Sequence, residues 1–150
     1  MKRQVYWLLS VTLIMVTSGL KAQQTIMDVI DPNYQNQKLL ETQAYDDILG
    51  SPYFDDDWHT GTIVTNNDQK FEDVQIKYDA YADELLVKQK SGKEIVVSKS
   101  MVKSFFYTKS GDSYKYHFKP IKSGKKGGKE FHQVLYEGKL SLLKRFKKEI

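Results

Sequence analysis

The densest run of chemistry-bearing side chains is Asp55-Asp56-Asp57-Trp58-His59, three carboxylates and an imidazole within five positions. Carboxylate oxygens are the usual ligands of hard cations and imidazole of borderline ones. Asp55, Asp57 and His59 are therefore the candidate ligands of a small metal-binding or metal-assisted hydrolytic module. The run does not continue as a calcium loop would, with a central glycine and a distal glutamate. A catalytic zinc takes about three protein ligands, and the other histidines, His117 and His132, stand far along the chain. The competing reading is a solvated acidic loop whose Trp58 packs on a sheet.

Other catalytic classes find less support. The chain has no cysteine, which removes disulfide frameworks, cysteine-ligated zinc and thiol nucleophiles. No serine sits in a Gly-x-Ser-x-Gly elbow. The glycines from Gly124 to Gly128 lack the Gly-Lys-Ser/Thr ending of a phosphate-cradling loop. The reading that remains is a non-enzymatic protein without a cofactor, which binds a protein or polymer partner. Tyr53, Phe54 and Trp58 fall outside any regular strand pattern and are its candidate contact aromatics. Each offers apolar area, and Tyr and Trp add a polar tip. Most of the remaining tyrosines read as core or sheet-face residues. Lys144 and Arg145, in the basic C-terminal segment, are the candidate cationic contacts. Nucleic acid is a poor partner, because Arg145 is the only arginine after residue 3 and base reading favours arginine's planar fork.

The elements that must position these residues begin after residue 22. Lys2 and Arg3, the apolar run Val5 to Val16 and the small residues before Ala22 read as a secretory signal over residues 1–22, with an uncleaved anchor as the alternative. The protein is thus expected to be exported, to the periplasm or in association with the outer membrane, with no later transmembrane span. Without the signal, 20 bases face 19 acids, but unevenly. Residues 23–60 hold eight acids and one base, residues 61–108 seven of each, and residues 109–150 twelve bases and four acids. Such polarity steers a charged partner or lets the two ends of the chain attract each other.

Residues 23–37 form an irregular lead segment, and residues 38–150 a single β-rich domain. Leu40, Ala44 and Ile48 recur at helical spacing before Gly50 and Pro52, which predicts a short N-terminal helix, with an extended strap as the alternative. From Gly61 the pattern becomes short β-branched and aromatic runs: Val74, Ile76 and Tyr78 alternate with polar residues, as do Tyr114, Tyr116 and Phe118. Ser91-Gly92 marks a hairpin. Eight strands are expected, with a mobile loop over residues 123–129. Turns this short force antiparallel neighbours. The fold class is therefore mainly β, an antiparallel meander curled into a small barrel or sandwich.

Gly50-Ser51-Pro52-Tyr53, Gly61-Thr62-Ile63-Val64, Val74-x-Ile76-x-Tyr78-Asp79-x-Tyr81-x-Asp83-Glu84 and the run from Val134 to Arg145 resemble a family of small exported proteins of Bacteroidetes-type bacteria. The resemblance covers about residues 45–146. The family has no assigned activity, cofactor or catalytic residues, so none is carried over. What the resemblance implies is a place in the envelope of a cell with an outer membrane.

Overall fold

The computed structural model describes Tyr45, residues 50–123 and residues 127–149. Eight strands follow one another: β1 (His59–Thr65), β2 (Lys70–Asp79), β3 (Glu84–Lys88), β4 (Glu94–Val97), β5 (Val102–Thr108), β6 (Lys115–Ser123), β7 (Gly128–Glu137) and β8 (Ser141–Arg145). They form one sheet in the order β4-β3-β2-β1-β5-β6-β7-β8, antiparallel at every pairing. The meander is as expected, but the barrel is not: β4 pairs only with β3 and β8 only with β7, so the sheet stays open. No helix occurs among the described residues, and the helix expected over residues 38–49 lies outside them apart from Tyr45.

The sheet is nevertheless tightly curled. Three strands separate β2 from β7, which in a flat sheet would place them roughly 19 Å apart at about 4.8 Å per strand. Yet the rings of Tyr78 on β2 and Phe131 on β7 lie 5.8 Å apart. The concave face is thereby closed on itself, and its core is aromatic: Phe105, Phe118 and Phe131 are buried with Ile63, Ile76, Leu85, Val87 and Val102. Directly paired residues Phe105 and Phe118 stack at 4.9 Å, and Tyr107 and Tyr116 at 5.5 Å. Cross-strand contacts of this kind are the main side-chain stabilisation within a sheet.

Gly61 permits the close packing of β1. A Cβ there would fall 2.6 Å from the carbonyl oxygen of Phe106 and 2.5 Å from Cδ1 of Ile76. Gly92 holds the expected β3–β4 hairpin at φ +85°, a region that glycine enters without steric cost. The loop expected over residues 123–129 is shorter than its composition indicated, because Ser123 pairs with Gly128 and Lys122 with Lys129. Paired backbone carries β6 and β7 further out than their apolar residues do. Pro120 is tolerated in β6 because the β5 pairing ends at Phe118, so no ladder hydrogen bond to β5 is lost there.

Side chains and a strap bridge the open gap of the sheet. The N–H groups of Ala80 and Tyr81 donate to the carbonyl of Pro52, and that of Phe54 donates to Tyr78. Phe54 then packs against the core, 4.5 Å from the ring of Phe146 and 5.7 Å from that of Phe118. The Lys148 ammonium donates to the Ser51 carbonyl at 2.9 Å, fixing the tail beyond β8 to the same strap.

Candidate functional site

The acidic run lies between this strap and β1. Asp55 pairs with Lys109, which follows β5, and accepts the N–H of Asp57. Burial pushes the Asp55 carboxyl up, but the Lys109 hydrogen bond, the Asp57 N–H and the nearby positive charge together outweigh it and bring the group down to about 2. His59 is buried, and its ring stacks on Tyr107 at 4.8 Å with 4° between the planes. Its Nε2 is 3.4 Å from Asp55 Oδ1 without the alignment of a hydrogen bond. Asp57 is exposed. Among the described residues no three His, Asp or Glu side chains converge as a metal would need. The Asp55 carboxylate is committed to a lysine.

The candidate contact residues separate into different settings. Phe54 is half-buried and packs against the core cluster. Tyr53 and Trp58 are half-buried over β2 and β3, where the Lys77 ammonium lies 4.5 Å from the Tyr53 ring and 5.2 Å from the Trp58 ring, and that of Lys88 lies 4.5 Å from Trp58. Trp58 thus packs on the sheet, and the Lys77 ammonium also donates to the Asp56 carbonyl at 2.6 Å. Arg145 is held by Glu130 at 2.5 Å. Lys144 is exposed, with its ammonium 4.6 Å from the Phe146 ring.

The residues that stand out in the structure were not singled out as contacts from the sequence. Leu135 is 44% exposed, Tyr136 63%, Leu140 83% and Leu142 59%, all within the β7–β8 hairpin. A register shift between Val134 and Tyr136 leaves Leu135 as an extra residue, and Tyr136 then pairs with Leu142. Such a bulge re-aims side chains at the edge of a sheet. The Tyr136 ring folds back over the hairpin, since a Cβ on Gly138 would fall 2.7 Å from its hydroxyl. Beside it is a shallow open groove lined by Phe106, Tyr114, His117, Val134 and Tyr136 among others. His117 is held below the ordinary imidazole range, first by burial and then by the charge of Lys119. Glu137 is bonded to Lys119 at 2.5 Å, and that bond lowers its carboxyl. One sequence signal does point here: Gly138-Lys139-Leu140 places a leucine in a turn, where polar residues are the rule.

Comparison with known proteins finds no matching family model, curated protein or solved structure.

Proposed function

We propose that the protein is a non-enzymatic, exported module of the cell envelope that docks onto another envelope component through its β7–β8 hairpin. The observation that carries this reading is the group of four exposed apolar side chains, Leu135, Tyr136, Leu140 and Leu142, on one hairpin of a sheet whose other large apolar side chains are mostly buried or half-buried. The other large exposed apolar residues among those described have ring partners. Tyr81 meets Tyr45 edge-on at 5.8 Å, and Tyr114 meets Tyr116 at 4.8 Å while its hydroxyl accepts from Gln133 at 3.2 Å. Several exposed large apolar side chains gathered on one hairpin of a small protein point to an interaction surface. The commitment of Asp55 to Lys109 and the stacking of His59 on Tyr107 favour binding over hydrolysis at the acidic run.

Fractionation of cells producing the protein tests the reading. Wild type is expected with the envelope, and a Leu140→Asp/Leu142→Asp variant is expected to move largely into the soluble periplasmic fraction. An unchanged distribution of the variant would count against the hairpin as the docking element.

A further inference from the structure

The kind of surface the hairpin fits can be read from the charges around it, and the inference rests on the docking reading above. We infer that the β7–β8 hairpin binds an anionic lipid surface, with Leu140, Leu142 and Tyr136 entering the head-group boundary and lysines meeting the phosphates. Two properties of the hairpin favour a lipid layer over a protein groove. The first is shape and size. Leu140, the most exposed apolar residue among those described, sits in the turn itself, so the apolar surface is a projecting point. A stable protein interface buries more than about 1,000 Å² in total with matched shapes, whereas a bilayer surface receives an apolar point without a preformed pocket.

The second property is charge. Both acids of the hairpin strands are matched, Glu137 by Lys119 and Glu130 by Arg145. Lys139, beside Leu140, and Lys144, two residues from Leu142, have no acid partner among the described residues and are exposed. Lys115, at the edge of the adjoining groove, is a third such cation, its ammonium 3.9 Å from the Phe106 ring. The surplus is therefore cationic and surrounds the apolar tip. Lysine suits this position because its aliphatic stem lies along apolar surface while the ammonium stays in water. Tyr136 adds an amphipathic ring of the type enriched at membrane boundaries.

The test is sedimentation of the purified full chain with vesicles of phosphatidylcholine alone or mixed with phosphatidylglycerol, wild type against variants carrying the same N-terminus. Binding to the anionic vesicles is expected to exceed binding to the neutral ones. Leu140→Asp/Leu142→Asp should weaken it at least about tenfold, and Lys139→Gln about fivefold. The circular dichroism spectrum and melting temperature should not change, because the altered side chains are exposed. No preference for anionic vesicles, or equal binding by the leucine variant, would overturn the inference. If the leucine variant instead loses a self-associated dimer or a protein crosslink while wild type ignores both vesicles, the lipid assignment falls and the docking reading stands. If neither vesicle, dimer nor crosslink depends on the leucines, both fall.

Discussion

The turn between β2 and β3 and the hairpin between β7 and β8 are both short antiparallel connections, but their side chains are used in opposite ways. At Ala80–Asp83 the polar groups are turned inward. Asp79, whose carboxyl burial pushes up, accepts the N–H groups of Tyr81 and Ala82. Asp83, at φ +57°, accepts from the Tyr78 hydroxyl at 2.8 Å, the Lys99 ammonium at 2.7 Å and the Phe131 N–H at 3.1 Å. One carboxylate thus joins β2, the β4–β5 connection and β7. The Phe131 N–H needs such an acceptor, because the β8 pairing stops opposite His132. At Gly138–Leu140 the apolar groups are turned outward, and Leu140 is 83% exposed. The first connection stabilises the curl of the sheet; the second leaves apolar surface whose burial remains available to a docking partner.

Substitutions should affect stability at the first connection and docking at the second. The largest stability loss is expected from Phe54→Ala, which removes the ring beneath the strap: about 3 kcal/mol by urea unfolding, since the ring meets Tyr78, Tyr116, Phe118 and Phe146. Asp83→Ala should cost about 2 to 3 kcal/mol, because it strips a buried hydroxyl and a backbone N–H of their acceptor and places alanine at positive φ. Asp83→Asn, which tolerates that φ and keeps an acceptor but not the charge facing Lys99, should cost about half as much. A native-like stability of Asp83→Ala would show that the curl does not depend on this carboxylate.

A smaller effect is expected from Asp55. Its folded-state carboxyl lies at about 2, below the ordinary 3.8, so its contribution is present above about 4 and is lost as the pH falls through about 2. Acid unfolding monitored by fluorescence should therefore show a limb in that window which Lys109→Met weakens. Smallest of all should be the stability change in Leu140→Asp/Leu142→Asp, within about 0.5 kcal/mol of wild type. A large destabilisation there would make the hairpin part of the fold and remove the contrast between the two connections.

The strands are legible because alternation at Val74, Ile76 and Tyr78 and at Tyr116 and Phe118 reports one inward face directly, whereas Tyr114, which continues the same alternation, lies before β6 and is 42% exposed. The openness of the sheet was not, since closure depends on whether β4 meets β8, and no local pattern encodes a pairing between the ends of a meander. The packing of Phe54 is not legible locally because it lies outside the strands; a short strap anchored through Pro52 sets its half-buried ring against the core. The role of Asp83 is not legible in the sequence because its three partners lie 5, 16 and 48 residues away, and only the curl brings them together. The exposure of Leu140 in the turn and of Leu142 on β8 is hidden by their context: in a run such as Leu140-Ser141-Leu142-Leu143-Lys144, leucine reads as core until the strand proves to be an edge.

The central claim is that the hairpin, and not another part of the surface, meets the envelope. The most direct measurement places a photo-crosslinking side chain at position 140 or, as a control, at exposed position 91 in the β3–β4 turn, and irradiates intact cells. Adducts to envelope components that form from position 140 and not from position 91 are the predicted result. Adducts from both positions alike, or from position 91 alone, would contradict it.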